Sequence, residues 1–255
     1  MSADLTLAHQ LADIADAITA KRFRARDLRV ESKPDSTPVT DADRSTEEAL
    51  RDELRVRRPE HAMVGEEFGA EGEAEWRWLI DPIDGTKNYA RGVPVWATLI
   101  ALQHGTRTEC GVVSAPALGR RWWAARGEGA HCNDGALRVS RVTVLGEAHV
   151  SCTDIRDFAL RGSGRAFAEL TSRCRYVRAF GDFWSHMLVA EGALDIGIEP
   201  VVNPWDIAAA QVIVEEAGGR FSDFSGRSRI DSGNVISSNG LLHGAVLDLI
   251  QQTTE

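Results

Sequence analysis

At 255 residues the chain can bury a full core in one large or two small domains, and its 43% hydrophobic content excludes a disordered chain. A net charge of −9 argues against nucleic acid and anionic membrane surfaces as partners but leaves small phosphorylated ligands open. No apolar run is long enough to span a bilayer and no basic-then-apolar leader is present, so a cytoplasmic setting is expected.

Residues 4–24 place Leu5, Ala8, Leu11, Ala12, Ala15 and Ile18 at helical spacing, which predicts an amphipathic opening helix. LRVESKPDSTPVTDADR predicts a short strand and then a proline-marked loop containing Lys33. Thr40 with Asp43 predicts a capping-box start to a helix reaching about Arg58 and stopped by Pro59. Met63 to Phe68, MVGEEF, predicts a strand end followed by adjacent acids; on extended backbone only one of them faces a given side.

The most informative stretch is WRWLIDPIDGTKNY, residues 76–89. Trp76, Trp78, Leu79 and Ile80 predict a buried strand, ended by Asp81 and Pro82 because proline cannot donate to a ladder. Gly85 permits a sharp turn, so Asp81 and Asp84 can converge. Converging carboxylates repel unless a cation lies between them, and an oxygen-only donor set without Cys or His suits Mg²⁺ in preference to Zn²⁺. Gly85, Thr86 and Lys87 could then open a helix whose first N–H groups hold a phosphate beside the metal.

VPVWATLIALQHG, ECGVVSAPALG and RRWWAARGEGAHCN predict an antiparallel meander in which Trp122 and Trp123 pack the sheet. Residues 138–145, RVSRVTVL, predict a further strand at a boundary that divides the chain into 1–140 and 141–255. Strand and helix then alternate: RYVRAFG, a helix in DFWSHMLVAEGAL capped by Asp182, and DIGIE ending at Glu199. In VNPWDIAAAQVIVEEAGG, Asn203 suits the N-cap, Pro204 the first helical position and Gly218-Gly219 the stop, which leaves Asp206 in the first turn. GRFSDFSG and NVISSNGLLHGAVLDLI predict strand, turn, strand and closing helix. The cysteines, Cys110, Cys132, Cys152 and Cys174, have no CxxC pairing and read as reduced thiols, while the scattered histidines read as packed or solvated.

Trp78 to Thr86 resembles the first signature of the inositol monophosphatase family, aromatic-x-(I/L)-DP(I/L)DGT, and WDIAAAQVIVEEAGG resembles its second, WDxA(A/G)AxxIxxEAGG. The resemblance implies a layered αβαβα sandwich of the inositol monophosphatase/fructose-1,6-bisphosphatase type. Its 1–140 half would be α+β with the metal and phosphate motif, and its 141–255 half α/β with the last metal ligand. It further implies that Glu66, Asp81, the Ile83 carbonyl, Asp84 and Asp206 bind two or three Mg²⁺ ions. Asp43 and Thr86, with Glu66 as the third catalytic residue, would orient the attacking water. The same Asp43 also reads, on spacing alone, as a plain helix cap. Asp84, Gly85, Thr86, Lys87, Arg178, Asp182, Glu199 and Asp206 are the candidate substrate contacts, with Phe183 or Trp184 as an aromatic wall. Lys87 departs from relatives that carry a second Thr after DGT.

GVPVWATLIAL, GVVSAPALGRRWWAARGEGA and RAFGDFWSHMLVAEGALDIGIEP are most similar to the histidinol-phosphatase branch of that family. Hydrolysis of histidinol phosphate is therefore the expected activity; inositol phosphates, fructose bisphosphate, 3′,5′-bisphosphonucleotides and a non-catalytic metal-binding role are the alternatives. The expected partners are a small phosphorylated substrate and a second copy of the chain in a homodimer, with neither nucleic acid nor membrane.

Overall fold

The structure, a computed structural model, describes residues 2–34, 37–133 and 135–252. Helix α1 (Ala3–Arg22) starts at Ser2, whose hydroxyl accepts the Leu5 N–H. A short hairpin of β1 (Val30–Ser32) and β2 (Pro38–Thr40) leads into α2 (Asp41–Arg57). The expected capping box is present: Thr40 accepts from the Asp43 N–H while Asp43 accepts from the Thr40 N–H. Then come β3 (Ala62–Gly65), β4 (Gly69–Glu71), β5 (Trp76–Asp84) and the one-turn helix α3 (Thr86–Ala90).

The meander follows as β6 (Ala97–His104), β7 (Arg107–Ala115), β8 (Arg120–Ala125), β9 (Gly129–Cys132) and β10 (Gly135–Ala136). Among the described residues, these strands with β3, β4 and β5 form an eight-stranded sheet ordered β10-β9-β8-β7-β6-β5-β3-β4, in which β3 and β5 run parallel and the other neighbours antiparallel. Side chains alternate across it. Trp78 and Ile80 join α1 and α2 in one core, and Leu79 joins the core on the opposite face. Both faces are covered, which explains the near-continuous apolar runs of β5 to β7.

The remaining elements are β11 (His149–Ser151), α4 (Ile155–Leu160), α5 (Gly164–Arg173), β12 (Tyr176–Arg178), α6 (Asp182–Ala190), β13 (Ile196–Glu199), α7 (Pro204–Glu216), β14 (Arg220–Ser222), β15 (Val235–Ser238) and α8 (His243–Gln252). Their strands form a mixed sheet ordered β12-β11-β13-β15-β14. Helices α6 and α7 pack between the two large sheets, and α4, α5 and α8 cover the outer face of the second. The stack is the expected αβαβα sandwich, and all four cysteines are free thiols.

Three expectations about strands fail. The proline-marked stretch before Thr40 is not all loop: it contains β2, paired antiparallel with β1. Residues 138–145 form no strand: the segment runs past the end of α7, where the Val139 N–H donates to the Ala217 carbonyl and the Val142 carbonyl accepts from Asn239. Its hydrogen bonds go to loops and a helix end, and Val144 is left exposed. Strand β5 does not stop at Asp81 but continues through Pro82 to Asp84, with its register against β6 shifted between Asp81 and Asp84. A bulge absorbs the proline, whose missing donor is not needed there.

Candidate active site

That bulge builds the centre of the site. In the register Asp81 opposes Leu99 and Asp84 opposes Ala97, so one extra residue is accommodated and the strand is re-aimed. The Thr98 hydroxyl donates to the Pro82 carbonyl (2.8 Å), and the Ile83 N–H donates to Asp81 Oδ1 (3.0 Å). The Ile83 side chain is buried with Ala42, Tyr89 and Trp96, which turns its carbonyl toward Thr86. Gly85 has φ +82°, and a β-carbon there would fall 3.0 Å from the Val95 carbonyl. Glycine is thus required both for the left-handed turn and for the close approach.

Four further segments bring side chains to the same place, a cavity of about 360 Å³ lined by Lys33, Glu66, Asp81, Ile83, Asp84, Gly85, Thr86, Lys87, Asp182 and Asp206, among others. Asp43, buried on α2, divides its oxygens: Oδ2 accepts from the Thr40 N–H (2.8 Å) and hydroxyl (2.5 Å), and Oδ1 accepts from the Thr86 hydroxyl (3.2 Å). Thr86 Oγ1 also lies 2.8 Å from the Ile83 carbonyl. Asp43 is therefore at once a helix cap and a partner of Thr86. Asn203 is the predicted N-cap residue of α7, and Asp206 in the first turn reaches back to it, Oδ2 accepting the Asn203 N–H (2.7 Å). Asp84 Oδ2 accepts the Phe183 N–H at the start of α6 (2.5 Å), tying the two halves of the chain together.

The electrostatics show that these acids crowd one another. Burial lifts Asp81 well above the usual carboxylate range, reinforced by the charges of Glu66, Asp84 and Asp206. Asp84 is raised likewise by burial and by Asp182 and Asp206. Burial also raises Asp206 to about 7 and Asp43 to about 7, with Glu66 adding repulsion in both cases. Buried like charges of this kind favour a bound cation, and an all-oxygen donor set fits a hard divalent one. Among the described residues no three of these side chains meet in a finished coordination cluster. Lys33 Nζ bonds Glu66 Oε1 and Glu67 Oε1, each at 2.7 Å.

Several expected contacts lie elsewhere. Arg178 is exposed at the end of β12, donating to the Val177 carbonyl and lying over the Tyr176 ring, away from the cavity. Glu199 is buried behind it, with Oε2 accepting the Thr153 N–H (3.0 Å) and Oε1 the Thr153 hydroxyl (2.9 Å). Phe183 is core, packed edge-on against Trp122, and Trp184 packs against Phe180, so neither lines the cavity. Asp182 reaches the cavity but does not cap α6; Gly181 is the cap residue and no side chain caps it. The Asp182 N–H donates to Thr153 Oγ1 (2.7 Å), its backbone has φ +49°, and its Oδ2 is 3.4 Å from Asn88 Nδ2. Trp205, Asn203 and Lys33 line the cavity without having been assigned to it. Trp205 was findable, since it precedes Asp206 in the first turn of α7; Lys33 carried no local signal.

The chain matches the inositol monophosphatase family over residues 1–255. It is 51% identical over 250 residues to a histidinol-phosphatase of Mycobacterium tuberculosis, covering 96% of each chain. It is 49% identical over 258 residues to a histidinol-phosphatase of Streptomyces coelicolor, covering 98% of this chain and 97% of that one. Among solved structures, an inositol monophosphatase from Zymomonas mobilis superposes with a TM-score of 0.88 at 32% identity, over 98% of this chain and all of the other.

Proposed function

The chain belongs to the inositol monophosphatase family, and on that footing we propose that it is a Mg²⁺-dependent phosphomonoesterase that hydrolyses L-histidinol phosphate to L-histidinol and phosphate. The observation that carries the reading is the meeting of Glu66, Asp81, Asp84, Thr86 and Asp206 on one cavity, with Asp43 buried behind Thr86 and bonded to its hydroxyl, in a chain about half identical to histidinol-phosphatases.

Glu66, Asp81, Asp84, Asp206 and the Ile83 carbonyl would hold two or three Mg²⁺ ions, which when bound lower the pKa of water and offset charge on the phosphoryl group and leaving oxygen. The Thr86 hydroxyl and Asp43 hold the attacking water and receive its proton; Asp43 stays next to Thr86 because its other oxygen is locked in the cap. The new bond forms from water oxygen to phosphorus as the ester P–O bond breaks, and the leaving alkoxide takes up a proton. Gly85, Thr86 and Lys87 present the first turn of α3 to the phosphoryl oxygens, and no side chain caps that turn.

Asp182 faces the leaving group. Burial raises it to about 6 while the charge of Lys87 opposes the rise, so a cationic ammonium or imidazolium is a favourable neighbour for it. Glu199 acts through Thr153, which sets the Asp182 backbone, and not by contact with substrate. No described helix is long and apolar enough to cross a membrane, and the proposed assembly is a cytoplasmic homodimer.

The test is phosphate release from L-histidinol phosphate, inositol 1-phosphate, fructose 1,6-bisphosphate and a 3′,5′-bisphosphonucleotide, each with Mg²⁺ and with EDTA. The highest kcat/KM is expected for histidinol phosphate. A higher value for any other ester overturns the substrate assignment, and undiminished turnover in EDTA overturns the cation requirement.

A further inference from the structure

Glu47 lies outside the cavity and makes none of the contacts assigned to the reaction, yet its side chain is fully buried. It follows Asp43 by one helical turn on α2, so the two carboxylates leave the same face of the helix. Glu47 holds the turn between β3 and β4: Oε2 accepts the Glu67 N–H (2.7 Å) and Oε1 the Phe68 N–H (3.2 Å). Arg51, a further turn along, donates Nε to Glu47 Oε1 (2.8 Å), binds the Gly69 carbonyl and lies over the Phe68 ring. A β-carbon on Gly65 would overlap the Glu47 carboxylate, so the glycine is what lets helix and turn come this close. Glu66 sits inside the held segment, between the glycine that admits the carboxylate and the amide that binds it.

We propose that Glu47 is a positioning residue for the cation site, with α2 acting as a rigid spacer that fixes Glu66 relative to Asp43. One turn of the helix holds Thr86 and the next holds the segment carrying Glu66, so the distance between the water-holding pair and this ligand is set by helix geometry. Glutamine at 47 preserves size but turns an amide N–H₂ toward backbone N–H groups or the Arg51 guanidinium, all of them donors, and so releases the segment. The inference rests on the proposed reading of Glu66 as a cation ligand.

Mn²⁺ binding, followed by the EPR signal of the free ion, and the Mg²⁺ dependence of p-nitrophenyl phosphate hydrolysis are measured on the full chain, with thermal melts alongside. Glu47→Gln should weaken Mn²⁺ binding and raise the Mg²⁺ half-saturation by about 10- to 100-fold, with kcat recovering at saturating Mg²⁺. Gly65→Ala perturbs the same contact from the other side and should move both readings in the same direction even if Glu47→Gln fails to fold. Glu66→Gln separates the layers of the argument: if it binds Mn²⁺ like wild type, the reading of Glu66 fails and this proposal with it. If Glu66→Gln is weakened while the folded Glu47 and Gly65 variants bind Mn²⁺ like wild type and merely melt earlier, Glu47 is a stability residue and the proposal alone is overturned.

Discussion

Replacing Asp43 by Asn and by Ala separates its two roles, because the structure assigns them to different oxygens. Oδ2 carries the cap, accepting the Thr40 N–H and hydroxyl, and Oδ1 faces the Thr86 hydroxyl. In Asp43→Asn the amide carbonyl can keep the cap while the N–H₂ group turns to Thr86, where it can no longer accept a proton. The helix should survive and the chemistry should not. We expect kcat to fall by roughly 10² to 10⁴-fold, the usual contribution of a positioned acid or base, with little loss of stability. Asp43→Ala should lose kcat similarly and also the cap, costing about 0.5 to 2 kcal/mol. For a chain of this size that is a drop in Tm of roughly 1 to 8 °C. Phosphate release at saturating Mg²⁺, Mn²⁺ binding and thermal melts on both variants provide the readings. Cation binding should stay close to wild type in each, since Asp43 is assigned to the water. If Asp43→Asn retains wild-type kcat while Asp43→Ala melts early, the carboxylate is a cap alone and the pairing with Thr86 is incidental.

EDTA should abolish turnover, and Asp84→Asn should cost more than the roughly 10² to 10³-fold typical of a single electrostatic donor, because it removes an anionic ligand for the cations while its amide oxygen can still accept the Phe183 N–H; near-wild-type kcat/KM in that variant would remove Asp84 from the cation site. Asp182→Asn should reduce kcat/KM for histidinol phosphate about tenfold more than for p-nitrophenyl phosphate, since one charge-assisted contact is worth roughly 1.5 to 3 kcal/mol. Equal losses on the two esters would make Asp182 structural. His186 is buried against Ser237 and held at about pKa 4, below its ordinary 6.5, because burial disfavours the charged ring. Its stabilising effect is therefore complete above pH 6.5 and lost as pH falls through 4, about 2 kcal/mol of it by pH 5. Urea midpoints at pH 7 and pH 5 should converge more closely for His186→Asn than for wild type, and an unchanged difference would show that the ring titrates freely.

Local geometry made much of the site legible. The i to i+3 spacing of Thr40 and Asp43 specifies a capping box by itself, Asn203 before Pro204 specifies the start of a helix, and Gly85 after Asp84 specifies the left-handed turn, because these features span only a few residues. The alternation of Trp78, Leu79 and Ile80 likewise specified a strand buried on both faces. Packing of the layers decided the rest. Whether Pro82 ends a strand or enters a bulge depends on β6 lying alongside it. Residues 138–145 have a strand's composition but find the end of α7 as their partner, so no ladder forms. Arg178, Glu199 and Phe183 follow one another closely enough with Asp182 to suggest a common pocket, yet only Asp182 reaches it. Edge-strand exposure takes Arg178 away, Thr153 holds Glu199 behind the wall, and the core against Trp122 claims Phe183. Lys33 and Glu47 acquire their places only through tertiary packing, since Glu66 and the Glu67 and Phe68 N–H groups that they meet lie far along the chain and no local pattern records such a contact.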